Sequence, residues 1–523
     1  MQATGRNTSF TPLRAVAAVP APGAALAVRR IYARGGNAVD AAVAATLALC
    51  VCDPCNVTIA GRCQVLLAPP GREPVLLDGA SMVPQRVEPR QRPVPVPGLP
   101  LALDALLRRF GRLSPAAVVA PALELAEEGF QVPPGLARIW THVQGKLRDD
   151  EAARRFFLDP RGAPPIAAPF RQPQLAELLA RLAADGLDAF CEGAVAERLA
   201  AAARALGIGW DRTSLAAARP RWTRPIGARV FGRTIFAPGR EGWGHSLIGL
   251  LRLFARAQPR PRFDATTASR LADAVLRAMR LREELAPVTR EPPPELLEKL
   301  AHPASIEAMA VRAGISPGAR SHVERSDTAH LSIVDDEGWS VALTASAGPR
   351  FGACVAHPHF GFLFAHSYRM AAGSAPGARD WTEMTPTLAI GPAGARIAIG
   401  AAGSARIPQA VAWVLWHLLA RDLALRAALR APRLLFVEDA LHVPARISGT
   451  LARRLLKPGI PLRRVAGDAL DHLGIVQIAL CSREGHLRAA ADPAFDGRVV
   501  RVQRRGRAST TPASNRASIS ASP

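Results

Sequence analysis

The chain has 523 residues, 49% hydrophobic and 21% charged, the balance of a globular protein that needs no membrane. None of its apolar stretches reaches the roughly 20 uninterrupted residues of a membrane helix. The formal charge of +23 suggests nucleic acid, but lysine occurs only at Lys146, Lys299 and Lys457. The arginines are scattered among Ala and Pro without interleaved aromatics, so a basic solvated surface is the better reading.

In chain order, Ala15 to Val28 follows Arg14 and imitates a signal peptide. Pro20 and Pro22 interrupt it and no cleavage site follows, so it reads as the first strand and turn of a cytoplasmic protein. Ala24 to Arg34 is helical and ends at Gly35-Gly36, and Asn37 caps a second helix from Ala38 to about Cys50. Four of the seven cysteines then crowd at Cys50, Cys52, Cys55 and Cys63. With no second ligand pair at zinc spacing, they read as core residues. Strands are predicted at Gln64 to Ala68 and Pro74 to Leu77, and helices at Leu101 to Phe110 and Ala116 to Gly129. A long helical stretch follows from Gln174 to Leu206, then helices at Ser246 to Ala257 and Ala268 to Leu285. A proline-rich connector at Pro287 to Pro294 leads into a helix from Glu295 to Ala313.

After Ser321 the period changes. His330 to Val334 and Trp339 to Thr344 alternate as a hairpin around the Asp335 to Gly338 turn. Strands are predicted at Thr387 to Ile390 and Ala395 to Ile399, followed by the Gly400 to Gly403 run and a helix from about Pro408 to Leu419. Residues 504–523 are a basic tail rich in Ser, Thr and Pro, expected to be disordered.

Thr328 stands at the start of the hairpin in Asp327-Thr328-Ala329-His330. A threonine hydroxyl needs a base to become a nucleophile. A chain-terminal threonine carries its own, an α-amine with a reference pKa of roughly 7.7–8.0. An internal threonine gains that amine only when the preceding peptide bond breaks. Read alone, a threonine just before a strand is ordinary.

Three ordered blocks change that reading. They are Gly35-Gly36-Asn37-Ala38-Val39-Asp40-Ala41-Ala42; Val96-Pro97-Gly98 with Pro121-Ala122 through Gly129-Phe130; and Asp327-Thr328-Ala329-His330-Leu331-Ser332 with Phe351-Gly352. Pro386-Thr387 and the Gly400 to Ile407 run follow in order. Together they resemble the γ-glutamyltranspeptidase family of N-terminal-nucleophile hydrolases. The resemblance implies an α/β fold, a four-layer αββα sandwich made from one precursor cut between Asp327 and Thr328. Residues 1–327 would form a large subunit and 328–503 a small one, held together non-covalently. It also implies a small-molecule amide or γ-glutamyl substrate, an amine acceptor or water, and no cofactor or metal; neither nucleic acid nor a membrane is an expected partner.

Within that resemblance Thr328 is the nucleophile, and Ser346 the hydroxyl that orients it, with Thr344 as fallback. Gly403 and Ser404 match the turn whose backbone amides form the oxyanion hole. The acyl pocket departs from the family. The arginine that pairs with the γ-glutamyl carboxylate falls at Ala80, with Arg86 nearby. The paired serines fall at Thr382 and Glu383, and an asparagine falls at Gly348. The acidic residue has no clear counterpart in Ala365 to Met370, where Arg369 could rebuild a clamp. The glycine-rich loop is reduced to Ala60-Gly61-Arg62-Cys63-Gln64. His357, His359 and His366 read as structural. Each lost charged hydrogen bond costs about 1.5–3 kcal/mol. The expectation is therefore a self-processing amidohydrolase with an altered acyl pocket and poor turnover of glutathione. The alternatives are an acylase for non-glutamyl amides and a catalytically degenerate binding scaffold.

Overall fold

The structure, a computed structural model, describes residues 12–87, 92–257, 263–285, 294–300, 302–313, 326–367, 375–466, 473–493 and 495–504. In chain order the strands among them are β1 (Leu13–Val19), β2 (Arg62–Ala68), β3 (Val75–Gly79), β4 (Arg221–Thr223), β5 (Ile226–Val230), β6 (Arg233–Ala237), β7 (Ser326–Asp335) and β8 (Ser340–Pro349). They continue with β9 (Thr387–Ile390), β10 (Arg396–Ala402), β11 (Leu435–Val437), β12 (Ala440–Pro444), β13 (Leu462–Val465), β14 (Ile475–Cys481), β15 (Leu487–Ala491) and β16 (Arg498–Gln503). A seven-stranded sheet runs β16-β1-β7-β8-β2-β3-β4 and a six-stranded sheet runs β15-β14-β10-β9-β6-β5. Strands β11 to β13 form a small third sheet.

The two large sheets face each other across a core of small apolar residues. Val16, Ala18, Leu66, Val334 and Ala342 of the first meet Leu388, Ala398 and Ala479 of the second. Because strand side chains alternate, the opposite faces carry their own apolar sets, and helices cover them. The helices Pro22–Ala33, Ala38–Cys52, Leu99–Phe110, Pro115–Glu128 and Pro173–Asp185 cover the first sheet. Gly244–Ala257, Ala265–Leu285, Pro303–Arg312 and Ile407–Leu415 cover the second. The result is the expected αββα sandwich. The helix Ala38–Cys52, buried along its whole length, starts in a reciprocal cap: Asn37 Oδ1 accepts from the Val39 and Asp40 amides, and Asp40 Oδ2 accepts from the Asn37 amide.

Some predicted boundaries move. The stretch from 174 to 206 is not one helix: it breaks at Gly186 and Gly193, both at positive φ, into Pro173–Asp185, the short Leu187–Phe190 turn and Gly193–Ala205. The stretch from 295 to 313 divides where Pro303 opens a second helix, since proline cannot continue the first. The hairpin strands are longer than predicted, so Thr328 lies inside β7 rather than before it. Likewise Gly400 to Ala402 extend β10. Residues 287–293 of the connector and the tail beyond Arg504 lie outside the described residues. All seven cysteines are buried free thiols.

The inner face of the first sheet changes character along its length. In register across β7, β8, β2 and β3, His330, Thr344, Gln64 and Asp78 form a polar row, whereas Ser332, Ala342, Leu66 and Leu76 form a mostly apolar one. His330 joins the two sheets. Its Nδ1 lies 2.8 Å from Thr344 Oγ1 and its Nε2 lies 3.0 Å from Ser332 Oγ. The Ser332 hydroxyl donates to the Gln477 carbonyl on β14 at 3.1 Å, so Ser332 Oγ accepts from Nε2–H, and Nδ1 accepts from Thr344. Burial pushes the imidazole pKa down to about 3, which keeps it neutral as this chain of bonds requires. Gly400 leaves room for the ring: a Cβ there would stand 2.3–2.7 Å from three imidazole atoms.

Two outcomes follow from this joint. Gly400→Ala should lower stability by about 1–3 kcal/mol through overpacking, read as a fall in Tm. The second concerns pH. Because the folded His330 pKa is depressed, the unfolded chain binds the extra proton between about pH 6.5 and 3. The stability this neutral ring contributes is complete above about 6.5 and is lost as pH falls through that window. Denaturant melts of wild type and His330→Gln from pH 7 to 4 should show the variant with the shallower dependence, by about one proton. Equal slopes would mean the ring is already charged in the fold.

Candidate active site

Thr328 is the third residue of β7 and 3% exposed. The β7–β8 register shifts between Asp327 and Ala329, so Thr328 sits at an irregularity of the ladder. With a period of two it shares the inner face with His330 and Ser332. Its Oγ1 lies 3.5 Å from Ser346 Oγ, a long contact for two hydroxyls. Ser346 Oγ in turn accepts from the Gly348 amide at 3.0 Å, which fixes it toward Thr328. Thr344, the fallback, is spent on His330 instead.

Gly348 is the register partner of Asp327 and has φ 94°. A side chain there would put Cβ 2.7 Å from the His366 carbonyl oxygen, so glycine is needed for close approach, in place of a polar side chain reaching for substrate. At the end of β10, Gly403 and Ser404 take φ 123° and 54° in succession. The Ser404 hydroxyl is buried and has no partner among the described residues. The Ser404–Arg406 turn packs on β7, and Ala402 lines one small cavity with Thr328, Asp53, Asn56 and Gln477.

The remaining predicted pocket residues surround this end unevenly. Ala80 is fully buried just past β3, and its amide donates to Asp78 Oδ1. The Thr382 hydroxyl is buried without a partner among the described residues, while Glu383 is half-buried and its carbonyl accepts from Thr385. Arg369 lies outside the described residues, so the predicted clamp there is not described. His357 is structural: its ring stacks on Phe360 at 5.1 Å, its Nδ1 accepts from two backbone amides, and burial holds its pKa down at about 3.

Two groups went unassigned in the sequence. The first is Arg62, opposite Ser346 in register, whose guanidinium pairs with Asp380 at 3.2 Å. It appeared in the sequence only as damage to a glycine-rich loop, although an arginine inside a buried strand is itself a signal that a charge is being positioned. The second is the Asp53 to Asn56 turn in the cavity wall, whose Asn56 carbonyl accepts from the Ala347 amide beside Ser346. No sequence signal distinguishes it from an ordinary helix end.

Comparisons with known proteins bear on the family and the fold. The family model for γ-glutamyltranspeptidase matches residues 24–502. The chain is 28% identical over 519 residues to an oxamate amidohydrolase proenzyme of Klebsiella pneumoniae, covering 90% of this chain and 95% of that one. It is 29% identical over 550 residues to an acylase proenzyme of a Pseudomonas species, covering 92% of each. The fold matches the crystal structure of cephalosporin acylase from Bacillus halodurans with a TM-score of 0.78, over 96% of this chain and 98% of that one, at 23% identity. The sandwich, the ordered blocks and a match over most of its length place this chain in the γ-glutamyltranspeptidase family of N-terminal-nucleophile hydrolases.

Proposed function

We propose that the protein is an amidohydrolase that cuts itself before Thr328 and then uses that threonine on amides whose acyl group is not γ-glutamyl. The observation that carries the reading is a buried Thr328 hydroxyl facing a Ser346 hydroxyl that is itself held by a backbone amide. In the uncut chain, Thr328 Oγ1 attacks the Asp327 carbonyl carbon. The Asp327 acyl group passes from the Thr328 nitrogen to Oγ1, which frees the α-amine and leaves an ester, and water then hydrolyses that ester to restore the Thr328 hydroxyl and leave an Asp327 α-carboxylate. That amine then takes the hydroxyl proton as Oγ1 attacks a substrate amide. The oxyanion forms against the backbone N–H groups of Gly403 and Ser404, and the leaving amine departs with the proton. Water, or an amine acceptor, releases the acyl group.

The acyl preference rests on what the pocket lacks and on what relatives are called. Ala80 supplies no cation, and Glu383 would repel a carboxylate. The relatives named for oxamate and for acylase activity show that the family accommodates other acyl groups. Denaturing intact-mass spectrometry of wild type beside Thr328→Ala tests the first half: two chains, the smaller beginning at Thr328, against one whole chain in the variant. A wild type that folds yet stays whole sinks the nucleophile assignment. Ser346→Ala should slow cleavage about tenfold by removing one hydrogen bond to the nucleophile. For the second half, kcat/KM on γ-glutamyl anilide should fall below that on oxamate or a neutral acyl anilide; the reverse order would return the substrate to glutamyl amides.

A further inference from the structure

We infer that the end of the six-stranded sheet remote from Thr328 carries a second binding site, one that takes a small molecule with a carboxylate on an aliphatic stem. This site is independent of self-cleavage and of the acyl pocket. Three observations carry it: a cavity, an arginine in its wall without a counter-ion, and the apolar side chains that share the lining.

The cavity measures about 400 Å³, within the roughly 300–1,000 Å³ of small-molecule sites. Arg233 opens β6 after the Phe231-Gly232 turn, and Ile397 of β10 and its register partner Leu480 of β14 line the same space. Leu418 and Leu419 enter it from the helix layer, where the chain after Ile407–Leu415 widens into a π turn over Trp416–Ala420. Single π turns of this kind recur at functional sites. From Ile397 to Ala402, β10 covers roughly 17 Å at about 3.4 Å per residue. Ala402 lines the small cavity at Thr328, so the two sites occupy opposite ends of one strand.

Arg233 is half-buried, and its Nη1 is buried with no hydrogen-bond partner among the described residues. It packs against the Gly391 backbone, where a Cβ would stand 2.7 Å from Nη1. The charge that acts on it is a second cation, Arg483 in the turn between β14 and β15, which lines the same cavity. Burial first, and then that neighbouring charge, push the Arg233 guanidinium below the usual arginine range. Two cations brought together out of full solvent cost free energy that an anion between them returns. A carboxylate fits, because a guanidinium fork gives it two parallel charge-assisted bonds.

Asp422 and Glu484 also line the cavity, and neither forms an ion pair with Arg233 among the described residues. Both are exposed, and Glu484 is engaged by the Ser482 hydroxyl, the bond that chiefly holds its carboxyl below the usual range. These two charges would repel a polyanion such as a nucleotide, so the ligand carries a single negative charge. The side chains of Ile397, Leu418, Leu419 and Leu480 offer its remainder apolar surface, which selects an aliphatic stem.

The test is calorimetric titration of the full-length protein with hexanoate and with hexanol, which share a stem and differ in charge. Hexanoate should bind about tenfold or more tighter, the value of one charge-assisted hydrogen bond. Arg233→Met should bring the two ligands within about twofold of each other. Arg483→Met, at an exposed position that folding tolerates, should cut the preference to about threefold. Thr328→Ala should leave the preference unchanged. Because Nη1 has no partner to lose, Arg233→Met should melt no lower than wild type. A wild type that does not bind hexanoate, a preference that survives both arginine variants, or one that vanishes in Thr328→Ala would overturn the site. An Arg233→Met variant that melts well below wild type would mark the arginine as structural and overturn it equally.

Discussion

The site depends on one neutral imidazole held between two sheets. His330 accepts from Thr344 on β8, donates to Ser332 on its own strand, and through Ser332 reaches the Gln477 carbonyl on β14. A charged ring would need a second acceptor where Thr344 now donates, so burial and bonding select the same protonation state. Once His330 points between the sheets, the period of the strand leaves Thr328 no other face. A slip of one residue would turn Thr328 toward the helices, against Ala329 and Leu331 in the outer core.

Some of the protein's buried polar groups without partners among the described residues lie at this same end. The Ser404 and Thr382 hydroxyls, Gln64 Oε1, the Gln477 amide and Arg62 Nε are buried and unpaired among the described residues. Each such group costs about 1–3 kcal/mol, against a total stability of roughly 5–15 kcal/mol for a typical domain. The left-handed backbone at Ser404 adds a further local cost at this end.

What the sequence disclosed divides along a physical line. Local signals were legible: the Asn37 cap and the two hairpin strands around the Asp335 turn. Signals that depend on partners distant in the chain were not. Arg62 and Asp380 are 318 residues apart, and nothing in either neighbourhood announces the other. Gly348 was read through the side chain it lacks, whereas its role is the close approach of the His366 carbonyl, a contact between separate segments. The strand ends were missed for a related reason. Residues 326–329 and 345–349 are small or polar in the sequence, so they do not show the apolar alternation of the strands they belong to.

The most recognisable block of the sequence does its work far from the chemistry. Asn37 and Asp40 lock the first turn of the Ala38–Cys52 helix, and Asp40 also accepts from the Arg112 and Leu113 amides, pinning that end to the loop after the Leu99–Phe110 helix. A helix of 15 residues spans about 22 Å, so a start fixed here fixes its far end too. That end is the Asp53 to Asn56 turn, which shares the cavity wall with Thr328 and takes the Ala347 amide next to Ser346. The neighbouring helix holds the ruler in place by contact: at Gly23 a Cβ would stand 2.7 Å from the Cys52 sulfur, so the helices touch where that turn begins. A capping motif and a glycine thereby help to set where the turn beside Thr328 stands, and the helix they position also packs on β7 and β8.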